Sequence, residues 1–165
     1  MRDTGDLDEL YSASYRRLVV QLYAVCGDLA DAEDAVQEGF VTAIRKRGEL
    51  ARIANPEAWV RTVALNRLRS GWRHTAVVHK YQPAVPGPQE PVEIGPEHEA
   101  ITAALAQLNE RQRRVVVLHH LADLSTAQIA NELGVSEGTV KSQLARARAL
   151  LAALLDDEKE DGRRV

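Results

Sequence analysis

Five of the six prolines in this 165-residue chain lie between Pro83 and Pro96, in the run PAVPGPQEPVEIGP. Proline has no backbone N–H and a fixed φ, so neither a helix nor a central strand continues through such a run. We therefore predict an extended linker over residues 79–96. It separates a first domain at 1–78 from a second at 97–155, and an acidic tail follows at 156–165.

Both halves of the chain have the apolar spacing of helices. In the first half, residues three and four apart form one apolar stripe: Leu7, Leu10, Tyr11, Tyr15, Leu18, Val19 and Leu22. Gly27 is expected to end this helix, and Asp28 or Asp31 to cap the next. Asn55 and Pro56 predict a third helix start, with an N-cap followed by a proline in the first turn. No alternating strand pattern occurs, so the predicted fold class is all-α, with two small helical domains joined by the Pro-rich linker.

Cysteine content and hydropathy constrain the setting of the chain. Cys26 is the only cysteine, which excludes an internal disulfide and a cysteine-based zinc site. No run approaches the ~18 to 20 apolar residues of a membrane helix. The N-terminal segment MRDTGDLDEL lacks the apolar region of a signal peptide. We expect a cytoplasmic protein with no membrane insertion.

Charge is unevenly distributed along the chain. Residues 51–82 carry six Lys or Arg and one acidic residue, residues 83–110 carry five acidic residues and no Lys or Arg, and residues 111–155 carry six Lys or Arg and three acidic residues. Two basic segments on either side of an acidic connector suit two contacts with a polyanion. Ordinary unevenness of surface charge explains the same counts, and charge alone does not separate these alternatives.

Groups that catalyse reactions are sparse. His119 and His120 lie in the apolar stretch RVVVLHHLADL, where a partly buried structural histidine is expected. His74, His79 and His98 flank the linker without the i, i+4 pairing that suits a metal. There is also no phosphate-binding glycine loop. We therefore expect no enzymatic activity, no cofactor and no metal site.

The run STAQIANELGVSEGTVKSQLARARALL, starting at Ser125, has the pattern of a helix-turn-helix. Ser125 and Gln128 form a capping box for a first helix, Gly134 suits a left-handed turn, and Ser136 caps a second helix. With Val140 and its neighbours facing inward, the outward face and its flanks carry Thr139, Lys141, Ser142, Gln143, Ala145 and Arg146. Small polar residues with an arginine suit the major groove of DNA. The alternative is an αα-hairpin with a solvated basic face.

Three segments together resemble one protein family. Residues 108–151, which contain this helix-turn-helix, resemble domain 4 of the extracytoplasmic-function (ECF) group of bacterial sigma factors, which binds the promoter −35 element and the β flap of RNA polymerase. Residues 31–44, DAEDAVQEGFVTAI, resemble the domain 2 helix that docks on the polymerase β′ clamp helices. Residues 56–73, PEAWVRTVALNRLRSGWR, resemble the helix that melts and reads the −10 element. The resemblance implies a sigma factor that binds core RNA polymerase, recognises promoter DNA and directs transcription initiation.

The resemblance assigns residues 31–44 a contact with core polymerase. Asp34, Gln37, Glu38 and Val41 lie opposite the apolar stripe of this helix, one turn apart. Their carboxylates are expected to pair with basic residues of the polymerase, and Val41 to add a small apolar centre. Phe40 lies at the edge of the apolar stripe, and both a core role and a contact role are open for it.

The resemblance assigns −10 recognition to residues 56–73. Thr62, Asn66, Arg69 and Arg73 follow one another along a polar stripe, with Trp59 beside its start. Cations along a backbone and polar groups for an unstacked base are what a single-stranded DNA site needs. Asn66 occupies the position at which the family has the Asn that helps accept a flipped −10 base. The alternative is a solvated stripe over a buried Trp59, for which a core position is favoured.

On the resemblance, the −35 element is read by the outward face of the second helix of the helix-turn-helix. The family also implies a separate anti-sigma factor that masks the polymerase-binding surfaces. The main alternative function is a stand-alone helix-turn-helix regulator that binds a duplex operator as a symmetric dimer. The two functions differ in that a sigma factor acts only with core polymerase.

Overall fold

A computed structural model of the chain describes residues 4–71 and 90–163, and the regular secondary structure within these ranges is entirely α-helical. In chain order the described helices are α1 (Thr4–Cys26), α2 (Leu29–Arg45), α3 (Arg47–Leu50), α4 (Pro56–Gly71), α5 (Pro96–Leu105), α6 (Glu110–His120), α7 (Thr126–Leu133) and α8 (Glu137–Arg163). The predicted all-α fold class is confirmed.

The chain forms two compact units, residues 1–93 and 94–165. Residues 79–89 of the predicted linker lie outside the described residues. Residues 90–95 contain no helix, and α5 begins at Pro96, where proline in the first turn suits a helix start. The acidic tail predicted at residues 156–165 is helical as far as Arg163, where α8 ends. Residue 155 is therefore not the end of the helix.

In the first unit, α2 packs against both α1 and α4. α1 ends at Cys26, and Gly27 follows with φ +75°, as its position predicts. Of the two candidate caps for α2, Asp28 is the one used: its side chain accepts from the Asp31 N–H at 2.9 Å. At the start of α4 the Asn55 side chain accepts from the Ala58 N–H at 3.1 Å. These local signals fix where α1 ends and where α2 and α4 begin.

Gly39 allows α2 and α4 to approach closely. A Cβ atom on Gly39 would lie 3.0 Å from Val60 Cγ1, 3.0 Å from the Val60 carbonyl oxygen and 3.6 Å from Ala64 Cβ. Glycine is the poorest helix former after proline, so its place in the middle of α2 has a packing cause. The glycine lets the backbones of α2 and α4 come together where a side chain would hold them apart.

In the second unit, α8 packs against α6 and α7. The apolar side chains buried in this unit include Val115, Val117, Leu118, Ile129, Val140, Leu144 and Ala147. Reciprocal capping boxes begin α6, with Asn109 and Gln112, and α7, with Ser125 and Gln128. The second box was predicted from the sequence and is confirmed. Because α6 and α7 pack against the first half of α8, one side of that half remains exposed.

Candidate DNA and polymerase interfaces

The helix-turn-helix is formed by α7, a glycine turn and the start of α8. Gly134 has φ +66° and ψ 35°, the left-handed conformation that ends α7 and that glycine adopts without a steric cost. The Ser136 hydroxyl then accepts from the Thr139 N–H at 3.1 Å and caps α8. Val140 and Leu144, in the first two turns of α8, are buried. Both the turn and the cap are where the sequence predicts them.

The outward face of α8 carries most of the residues predicted for DNA. Thr139, Lys141, Ser142, Ala145 and Arg146 are exposed.

Gln143 differs from these residues, since it is only partly exposed. Its Oε1 atom is buried and has no hydrogen-bond partner within the part of the chain that the structure describes. Gln143 lies three residues after buried Val140, and residues three apart share a helix face. It therefore lies towards the packed side of α8 rather than on the open face.

A polar cluster that the sequence analysis missed links the two helices of the motif. The Thr126 hydroxyl, in the first residue of α7, donates to Oε1 of Glu137, in the first residue of α8, at 2.7 Å. Lys141 Nζ lies 3.6 Å from the same oxygen. The Thr126 hydrogen bond, followed by the charge of Lys141, lowers the pKa of the Glu137 carboxyl. The i, i+4 spacing of Glu137 and Lys141 was a visible signal, whereas the contact with Thr126 depends on the crossing of two helices.

The predicted polymerase face of α2 is only partly open. Asp34 is exposed, while Gln37 and Glu38 are partly buried. The Gln37 side chain hydrogen-bonds the hydroxyl of Tyr15, and burial of Tyr15, with smaller contributions from Glu33 and Asp34, raises the pKa of that phenol. The carboxylates of Asp34 and Glu38 therefore remain for an external partner, and Gln37 is partly committed to α1.

The structure contradicts a surface role for Val41 and Phe40. Val41 is fully buried, and Phe40 has 1% of its surface exposed. The Phe40 ring centroid lies 4.9 Å from that of Tyr11 and 6.5 Å from that of Tyr15. The spacing suggested a single apolar stripe, but α2 packs against two helices and so buries a wider arc than one stripe. Both residues belong to the core of this unit.

The polar stripe predicted on α4 is described in part. Trp59 and Thr62 are partly buried, and the Thr62 hydroxyl donates to the Ala58 carbonyl at 2.9 Å. Asn66 is exposed. The side chain of Arg69 and the whole of Arg73 lie outside the described residues.

Two polar contacts join α4 to α1. The guanidinium of Arg17 donates through Nε and Nη2 to the two carboxylate oxygens of Glu57, each at 2.8 Å. Arg61 is 3% exposed, and its Nη1 donates to Oε1 of Gln21 at 3.2 Å. The spacing gives no sign that Arg61 points inward. Its partner lies forty residues away on another helix.

Neither a metal centre nor a membrane helix is found in the described part of the chain. Over residues 4–71 and 90–163, no three His, Cys, Asp or Glu side chains are grouped so that they could hold an ion. His119 Nδ1 lies 2.8 Å from the Leu124 carbonyl oxygen, which gives that ring a structural partner. The helices within these same ranges are too short or too polar to cross a membrane.

Comparison with known proteins matches both units to one family. The family model for sigma-70 region 2 matches residues 10–77, and the model for sigma-70 region 4 matches residues 98–151. The chain is 39% identical over 136 residues to the ECF RNA polymerase sigma factor SigL of Mycobacterium tuberculosis, covering 78% of this chain and 77% of the relative. It is 35% identical over 158 residues to SigM of the same species, covering 93% and 79%.

Solved structures show the same fold. The sigma factor RpoE from Bartonella quintana, crystallised with the anti-sigma factor NepR, matches with a TM-score of 0.71 at 23% identity, covering 92% of this chain and 97% of that one. CnrH, solved with the cytosolic domain of CnrY, matches with a TM-score of 0.65, covering 94% and 91%. With both regions matched in order and the identities to SigL and SigM, the chain belongs to the ECF group of RNA polymerase sigma factors.

Proposed function

We propose that this sigma factor binds core RNA polymerase through the exposed carboxylates of α2 and contacts the −10 and −35 promoter elements through α4 and α8. The observation that carries the proposal is the open face of the helix-turn-helix. Val140 and Leu144 are buried, and on the other side of α8 Ser142 and Arg146 are exposed. This is the arrangement in which a recognition helix enters the major groove.

Arg146 is the strongest candidate for reading a −35 base. Its side chain is exposed on the face opposite buried Leu144, so it is free to reach out without disturbing the core. An arginine in the major groove donates to O6 and N7 of guanine in a bidentate geometry. Lys141, at the flank and paired with Glu137, suits a phosphate contact.

Asp34 and Glu38 are the proposed contacts with the β′ clamp helices. They lie one turn apart on the side of α2 away from its apolar stripe, with Asp34 exposed and Glu38 partly exposed. Carboxylates there can pair with basic residues of the polymerase. Val41 and Phe40 are not part of this proposal, because both are buried.

For the −10 element, Asn66 is the described residue that supports the proposal best. It is exposed on α4, and its amide can both donate to and accept from a base edge. Thr62 lies one turn earlier and is partly exposed. We also propose roles for Trp59, Arg69 and Arg73, of which the last two rest on the sequence alone.

We further propose that a separate anti-sigma factor controls this protein. RpoE of Bartonella quintana was solved with the anti-sigma factor NepR, and CnrH was solved with the cytosolic domain of CnrY. The sigma factor itself would act on RNA polymerase in the cytoplasm, and it would have neither catalytic activity nor a cofactor. A stand-alone regulator is not favoured, since it explains the match to region 4 and leaves the match to region 2 unexplained.

The first test is run-off transcription by the wild-type protein with purified core polymerase. Two variants, each with a matched control, then test polymerase binding and −35 preference separately. Asp34→Ala should weaken co-purification with polymerase, and Glu9→Ala, an exposed carboxylate of α1, is the matched control. Arg146→Ala should cost about 1 to 3 kcal/mol in binding and relax preference at one −35 position. Arg111→Ala, an exposed arginine of α6, should leave that preference unchanged. Absence of polymerase-dependent initiation by the wild-type protein would refute the proposal.

A further inference from the structure

Glu137 is the first residue of α8, and it carries a negative charge at the N-terminal end of the proposed recognition helix. The N-terminal residues of such a helix are the ones that contact base edges in the major groove. A carboxylate near two phosphate backbones is repelled by them, and this repulsion has to be offset if the helix is to bind DNA. In the major groove the amino donors are N4 of cytosine and N6 of adenine, and the characteristic partner of a carboxylate is N4 of cytosine.

The contacts of Glu137 hold its carboxylate in one orientation. Thr126 Oγ1 at 2.7 Å and Lys141 Nζ at 3.6 Å both approach Oε1. The Thr126 hydroxyl donates to Oε1 and not to Oε2, and the Glu137 side chain is 46% exposed. One oxygen is therefore fixed by the protein while the other is open. A side chain that is already oriented loses less conformational entropy when it binds.

We propose that Glu137 is a specificity-determining residue, whose Oε2 accepts a hydrogen bond from the N4 amino group of a cytosine in the −35 element. The proposal rests on the proposed function of α8 as the helix that enters the −35 major groove. Thr126 acts as a positioning residue, since its hydroxyl holds the other carboxylate oxygen. Lys141, on the same oxygen, balances the negative charge and remains within reach of a phosphate.

The competing explanation is that Glu137 does no more than neutralise Lys141. The two explanations predict different things. A base contact affects one position of the DNA, whereas release of a lysine for phosphate strengthens binding to every sequence and increases the salt slope by about 1.

The experiment uses holoenzyme and a promoter library in which the −35 element is randomised, with templates ranked by transcript yield. We expect the wild-type holoenzyme to prefer cytosine at one position of one strand of the −35 element. Glu137→Ala should remove this preference, with a loss of about tenfold in discrimination between cytosine and the other bases at that position. Glu137→Gln should shift preference at the same position towards adenine, because a glutamine side chain pairs with N6 and N7 of adenine. Glu99→Gln, an exposed carboxylate on α5, is the matched control and should leave all preferences unchanged.

Two results would overturn the proposal. One is an unchanged pattern of preferences in both Glu137 variants, and the other is a uniform change in yield on every template, which assigns Glu137 to Lys141 alone. A wild-type holoenzyme that ignores the −35 sequence altogether would instead overturn the proposed function of α8, so the two failures are distinguishable. Because Glu137 is exposed, both variants should fold, with an unfolding temperature lowered only slightly by the loss of the contacts with Thr126 and Lys141, and this is checked by circular dichroism.

Discussion

Replacing Gly39 by alanine tests whether the close approach of α2 and α4 is required. In an open helix interior, Gly→Ala stabilises by roughly 1 kcal/mol, because alanine is the better helix former. At Gly39 the new methyl group would lie 3.0 Å from two atoms of Val60, a side-chain carbon and the backbone carbonyl oxygen. Both distances are shorter than ordinary van der Waals contact, so Val60 has to move by a few tenths of an ångström to admit the methyl group.

The expected net effect is a loss of stability. Overpacking of an interior costs about 1 to 3 kcal/mol, and the upper part of that range applies because the Val60 carbonyl belongs to the backbone of α4 and moves only with the helix. Subtracting the gain in helix propensity leaves a destabilisation of about 1 to 2 kcal/mol. For a unit of this size each kcal/mol lowers the unfolding temperature by roughly 4 to 8 °C.

The assay is thermal unfolding of the full chain, followed by circular dichroism at 222 nm. Gly48→Ala is the matched control, because a Cβ on that exposed glycine of α3 meets no described atom within 4 Å, and this variant should be neutral or slightly stabilised. Val60→Ala in the Gly39→Ala background removes one of the two close contacts, so the double variant should be more stable than the sum of the single effects predicts. An unfolding temperature of Gly39→Ala at or above wild type would refute the reasoning.

Two further predictions concern a helix cap and the cysteine. Ser125→Ala removes the hydroxyl that accepts from the Gln128 N–H at 3.1 Å, and it should destabilise the second unit by about 1 kcal/mol in urea unfolding. Ser12→Ala, on the exposed side of α1, is the control and should not be destabilised. Equal stability of the two variants would contradict the cap assignment. Burial raises the pKa of the Cys26 thiol, so iodoacetamide should alkylate it at pH 7 more slowly than it alkylates free glutathione, and faster alkylation would show an activated thiolate.

Much of the fold was predictable because its signals are local. The side chains of Asp28 and Asn55 cap their helices by accepting a hydrogen bond from the backbone N–H three residues later. Gly134 adopts the left-handed conformation that its place after an apolar helix predicts. Such interactions depend on neighbours in the sequence, and so they can be read from it. Most of the exposed face of α8 was also predictable, because the buried residues Val140, Leu144 and Ala147 follow one another at helical spacing along one side.

Features that depend on two helices crossing were not predictable from spacing. Val41 lies opposite the apolar stripe of α2, yet it is buried, because α2 has two neighbouring helices. Arg61 reads as a surface residue, but it points inward to Gln21 on α1. The contact between Thr126 and Glu137 arises only once α7 and α8 have crossed. In each case the partner lies on a different helix, and periodicity along one helix contains no information about it.

The position of Gly39 affects how variants of the first unit can be interpreted. The proposed polymerase face lies on α2 and the proposed −10 face on α4, and the two helices meet where a Cβ on Gly39 would touch Val60. A close-packed interface has few alternative arrangements, so a change there alters the relative placement of both faces. Loss of polymerase binding in a Gly39 variant is therefore no evidence that Gly39 touches the polymerase. Only exposed positions such as Asp34 and Asn66, whose truncation leaves this interface in place, can assign a contact to one partner.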